Sequence, residues 1–162
     1  MAIPTDSARE LTRHALAALV YRGGKTLRDV PAGFSEFRAS PASRSAGQIL
    51  AHVCDLFDWS VHLARGEKKW HESPPRSWAE DSTRFFEGAR ALDDVLATAP
   101  TIACPLERLL QGPIADALTH VGQISLLRRL ANAPVRGENY FVAEIRAGRV
   151  GKDQPPPVFE FD

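Results

Sequence analysis

The sequence predicts an all-α fold: a four-helix bundle followed by a short C-terminal helix and an extended tail. Four long stretches carry apolar residues at helical spacing, alternating β-branched runs are almost absent, and each stretch is bounded by capping or helix-stopping residues. The 162 residues are 44% hydrophobic and 25% charged, the proportions of an ordinary folded domain. At this length folding buries roughly 68–70% of the unfolded chain's surface, enough for a core without disulfide or zinc staples. A single domain over 1–162 is expected, with its core at about 7–148 and 149–162 as tail. No internal repeat is visible.

The first helix is expected from Ser7 to Arg22, where Leu11, Ala15, Ala18 and Leu19 recur at helical spacing and Gly23-Gly24 supplies a stop. Pro31, Gly33 and Pro41 make the next stretch a loop with room for a helical turn near Phe34 and Phe37. Ser43 or Ser45 caps a second helix that runs to Gly66. Ser77 caps a third, Trp78 to Thr98, closed by Pro100 and striped by Trp78, Phe85, Leu92 and Leu96. The fourth begins at Pro113, a good first-turn residue, and runs to about Asn132, with one short turn over Leu106–Leu110 ahead of it. Beyond Pro134 the stretch ENYFVAEIRAG reads as a short helix ended by Gly148, and QPPPVFEFD as extended chain. The long first loop allows a crossover or an up-and-down meander equally.

Twenty basic residues balance twenty acidic ones, so no bulk field draws the chain to nucleic acid or an anionic membrane. Acidic residues precede the first apolar run, and Ala15–Val20 is too short for a signal core or a span. Cys54 and Cys104 do not make a secreted framework, so a reducing cytoplasm is the expected location. No phosphate-cradling glycine loop, nucleophile elbow or C-x-x-C pair occurs, which disfavours nucleotide-dependent and hydrolase-triad chemistry.

Three ionisable groups interrupt the apolar faces. A rotation of about 100° per residue places His52 among Gln48, Ile49, Leu56, Trp59 and Leu63. It also places Asp116, His120 and Gln123 beside Ala117, Ile124 and Leu127 on one face of the fourth helix. Each buried polar group can be satisfied by a hydrogen bond, His120 by Asp116 and His52 by Gln123 or a carbonyl. A divalent cation would satisfy all three together: two imidazoles and a carboxylate suit Zn, Ni, Fe or Mn and leave open positions.

The segments SAGQILAHVCDLFDW and DALTHVGQISLLRRL, and above all His120-Val121-Gly122-Gln123 followed by Leu126-Leu127-Arg128, resemble the DinB-like (damage-inducible) family of bacterial four-helix proteins over about residues 43–133. That family typically holds a divalent metal, usually nickel or zinc, on one histidine of helix two and two of helix four. His52 and His120 match two of these positions, and Asp116 stands where the family usually has its third histidine. The resemblance implies a metal site at His52, Asp116 and His120. It also implies a small-molecule substrate, in some members a low-molecular-weight thiol whose pKa the metal lowers, and a homodimer as a common assembly. An open metal position would activate water or such a thiol, in a transferase or hydrolase reaction. The alternative is a metal-free binding or interaction protein whose relic site is filled by an Asp116–His120 hydrogen bond.

The other candidates read as structural. His14 is a partly exposed helix residue, His62 and His71 lie beside solvent-facing or loop residues, and Asp55 and Asp58 are surface charges off the His52 face. Asp81 is a weak fourth ligand. Cys54 points about 200° away from His52. Arg128 and Arg129 complement the helix-four dipole, although Arg128 also suits an anionic substrate. Trp59, Trp70 and Trp78 gather near the end of helix two, as a pocket mouth, a subunit contact or core.

Overall fold

The computed structural model describes residues 5–161, with Thr5 and Asp6 by backbone only; residues 1–4 and 162, the ends of the expected single domain, lie outside it. Its long helices are α1 (Thr5–Leu27), α2 (Ala46–Ala64), α3 (Trp78–Thr98) and α5 (Ala115–Leu130), with a short α4 (Leu106–Leu109) before α5. This is the all-α bundle read from the sequence. Two helix starts carry full capping boxes: Ser45 with Gln48, and Ser77 with Glu80. Each pair satisfies two of the amides that a helix start leaves without partners.

Both α1 and α2 pack on α3 and on α5, so α1 and α2 occupy one diagonal of the bundle and α3 and α5 the other. The chain therefore crosses the bundle end between α1 and α2, and again between α3 and α5. The core is filled by Leu16, Leu19, Val20, Leu50, Phe57, Phe85, Leu92 and Ile124, each no more than 1% exposed. Leu11, expected in the α1 stripe, is exposed.

Three expectations are corrected. First, α1 does not stop at Gly23-Gly24 but runs on to Leu27. The two glycines let α3 approach: a Cβ at Gly23 would overlap the Phe85 ring, and one at Gly24 would lie 3.3 Å from Phe86. Packing outweighs the cost of glycine in a helix, about 1 kcal/mol. The break expected ahead of Pro113 is present: α4 and α5 are joined through Leu110–Ile114 across a kink at Gly112, whose φ of −91° and ψ of −107° are not helical. Pro113 follows the kink directly, where the N–H it lacks would have no regular helical partner.

Second, the stretch 138–148 forms no helix: Glu138 is a strand residue, and 139–148 run through turns, bends and irregular chain. Phe141 is 97% exposed there, so the segment has no continuous apolar face to bury. It is anchored by a two-residue antiparallel ladder, Gly137–Glu138 with Glu160–Phe161. Buried Glu138 accepts hydrogen bonds from Tyr21 Oη (2.6 Å) and Lys25 Nζ (2.8 Å). Third, Asp55 is buried, 3% exposed. The Arg84 guanidinium bridges Asp55 (3.1 Å) and Asp81 (2.8 Å), while the Ser73 and Arg76 amides each donate to one of these carboxylates at 2.8 Å. Asp81 is thereby committed to α3 and the loop.

Arg128 is also buried, and both earlier readings of it give way to a structural one. Its guanidinium donates to the Thr26 carbonyl in the last turn of α1, to the Arg28 and Asp29 carbonyls just beyond it, and to Ala133 O beyond α5. One cation so caps two helix ends.

Gly23→Ala is expected to destabilise the protein by about 1–3 kcal/mol in urea unfolding, from overpacking against Phe85, with Phe85→Leu in the same chain recovering part of the loss. Arg84→Met, which strands two buried carboxylates, is expected to cost about 3–5 kcal/mol in the same measurement.

Candidate metal centre

His52 comes from the middle of α2, and Asp116 and His120 from the first two turns of α5. The kinked joint Leu110–Ile114 packs against α2 just before Asp116, and the break at Gly112 sets the angle at which α5 leaves it. Asp116 and His120, four residues apart, share a face of α5 and turn it to the α2 seam. One donor atom from each of the three side chains falls within 4.8 Å of the others. His52 Nε2 lies 3.6 Å from Asp116 Oδ2, and the two imidazole rings are 4.8 Å apart between centroids.

The depth differs from the sequence expectation. These groups sit at the rim of the bundle, where the side chains of His52, Asp116 and His120 are 20%, 46% and 13% exposed. The hydrogen bond expected between Asp116 and His120 exists, but at 2.8 Å it joins His120 Nδ1 to the main-chain carbonyl of Asp116, whose carboxylate Oδ1 is 3.3 Å away. Donation from Nδ1 places the proton there and leaves Nε2 its lone pair, the form in which an imidazole ligates. Burial, then the proximity of His120 and Arg44, lowers the pKa of His52 below its ordinary value, so its imidazole is neutral at neutral pH.

The donor set fits a divalent cation. Two neutral imidazoles and one carboxylate leave a net charge of +1 on a dication and match the borderline preference of Zn or Ni. Tetrahedral coordination with bonds of about 2.0–2.2 Å spaces donors about 3.4 Å apart. The 3.6 Å between His52 and Asp116 already meets this, and the other donor separations lie within 4.8 Å.

Two cavities flank the triad. One of about 210 Å³ is lined by Arg44, Gln48, His52, Glu72 and Ser73. The other, about 450 Å³ and mostly apolar, is lined by Arg44, Ile49, His120, Gln123, Leu126 and Leu127. Trp70 stands edge-on to both His52 and Trp59, with ring centroids 5.7 Å apart in each case. Trp78 is elsewhere, against Phe34 and donating to Leu27 O. Sequence reasoning passed over Arg44 and the loop after α2, although Arg44, Gln48 and His52 recur every fourth residue.

Cys54 plays no part here. Burial pushes its thiol up to about 12, and its Sγ donates to Asp81 O. His14 is exposed. No helix among the described residues is long and apolar enough to cross a membrane. No family model, curated protein or solved structure matches this chain.

In metal-free protein the His52 imidazole is expected to titrate below the ordinary 6.5, followed by NMR. Asp116→Asn should lower the midpoint further, because the carboxylate favours the imidazolium. Since the folded value is depressed, the His52 contribution to stability is complete above 6.5 and is lost as pH falls through the folded midpoint.

Proposed function

We propose that this protein is a mononuclear divalent-metal enzyme of DinB-like type, acting on a small molecule in a transfer or hydrolysis reaction. The observation that carries this reading is the convergence of His52, Asp116 and His120, from two separate helices, within 4.8 Å at a seam flanked by two cavities. His52, Asp116 and His120 would hold the cation, with zinc or nickel favoured over iron or manganese. Such a cation supplies Lewis-acid activation of water or a low-molecular-weight thiol at neutral pH.

The chain's own groups supply the rest. The Asp116 carbonyl orients the His120 ring through Nδ1, and Trp70 shields one side of His52. Arg44 lines both cavities and offers a positive group to an anionic part of the substrate. Ile49, Leu126 and Leu127 offer an apolar wall to its remainder. The same reading places the protein in the cytoplasm, as a homodimer. Leu118, Leu126 and Leu130 stand exposed along α5 at multiples of four residues, an apolar face that a second copy would cover.

The second reading is a metal-free binding protein. It draws on the position of Asp116, whose carboxylate lies 3.3 Å from one imidazole and 3.6 Å from the other and so can pair with both unaided.

Elemental analysis of untagged protein, followed by titration with Zn or Ni, separates the two. The metalloenzyme is expected to bind one equivalent at this centre, with His52→Ala or His120→Ala abolishing it. A chelator should lower its melting temperature, as loss of a ligand held at 100 times its Kd removes about 2.7 kcal/mol. A metal-free wild type that takes up no cation at this centre, and melts unchanged with chelator, refutes the proposal.

A further inference from the structure

The D-x-x-x-H spacing of Asp116 and His120 occurs a second time, as Asp58 and His62 on α2. His62 Nε2 lies 3.7 Å from Asp58 Oδ2. The loop after α2 brings His71 back beside them, with its ring centroid 6.1 Å from that of His62. One donor atom each from Asp58, His62 and His71 lies within 4.8 Å of the others. His62 Nδ1 sits 2.8 Å from Glu67 Oε2, and the Glu67 amide donates to His62 O. A carboxylate on Nδ1 fixes the ring and its tautomer and leaves Nε2 to ligate, the usual outer support of a metal-bound histidine. The Asp58–His62 pair, a third ligand from outside the helix and an outer carboxylate are thus all in place.

The geometry points to a second cation site, at Asp58, His62 and His71, which takes a borderline dication of the zinc class and clamps the loop 65–77 onto α2. Two imidazoles and one carboxylate select such an ion over calcium or magnesium, which prefer all-oxygen shells. The clamp matters because of what this loop carries. Trp70, next to His71, stands against His52 and Trp59, and Glu72, Ser73 and Pro74 wall the smaller cavity. Beyond His71 the loop is held by the Ser73 amide on Asp55 and the Arg76 amide on Asp81. Before it, Lys68 and Lys69 are exposed. A cation on His71 closes the gap between these anchors and the end of α2, and so fixes the cavity wall beside His52.

The site does not depend on a metal at His52, Asp116 and His120, and its test uses full-length protein carrying His52→Ala and His120→Ala. Equilibrium dialysis against zinc alone is expected to give one bound equivalent, lost on adding His71→Ala and, in a separate variant, His62→Ala. His71 is exposed, so His71→Ala should leave the melting temperature in chelator unchanged. Tryptic cleavage at Lys68 and Lys69 provides the second readout. Saturating zinc should slow it by about tenfold in the parent and leave the His71→Ala variant unaffected. The proposal is overturned if the parent binds no zinc, if His71→Ala binds as the parent does, or if zinc slows cleavage equally in both. Loss of the first centre would show only in protein that retains His52 and His120, so the two readings fail separately.

Discussion

Two carboxylates, one from α2 and one from α3, are buried around a single guanidinium, and the surroundings of the candidate centre depend on that arrangement. Asp55 and Asp81 are 3% and 1% exposed. Neither charge is tolerable in an apolar interior without Arg84 and the two loop amides that complete their shells. This requirement ties α2 to α3 and also draws the connecting loop back along α2. The loop then delivers Trp70 to His52, Ser73 to the smaller cavity and His71 to His62. An electrostatic debt inside the bundle thereby builds the walls of what lies outside it.

The diagonal arrangement of helices completes the picture. With α1 across the bundle, α2 is free to meet α3 along one edge and α5 along the other. Its α3 edge is used for the buried ion cluster and its α5 edge for the imidazole pair. Arg128 locks this geometry from the last turn of α5 by binding carbonyls at the end of α1. The kink at Gly112 frees α5 from the direction of α4 and so allows its approach to α2.

Much of this was legible in the residues. The helix starts at Ser45 and Ser77 follow from local hydrogen-bonding chemistry, which needs no distant partner. The shared face of Asp116 and His120 follows from helical periodicity. Periodicity did not give the depth of the site, since an apolar stripe has edges, and which edge meets a neighbour depends on where that neighbour sits. Asp55 was misread for the same reason: only the approach of Arg84 from another helix makes burial of a carboxylate affordable. The glycine pair in α1 was read as a helix stop because glycine is costly in an isolated helix. It is retained there by the Phe85 and Phe86 rings, which no local window contains.

The sequence by itself determined the helical class, the capped helix starts and the shared face of Asp116 and His120 on α5, because each arises from interactions within a turn or two of the chain. Tertiary structure alone decided the diagonal order of the helices, the burial of Asp55 and the return of the loop after α2. It also decided that His52 meets His120 and that His62 meets His71. Those outcomes come from groups far apart in sequence competing for the same buried volume and the same few counter-charges.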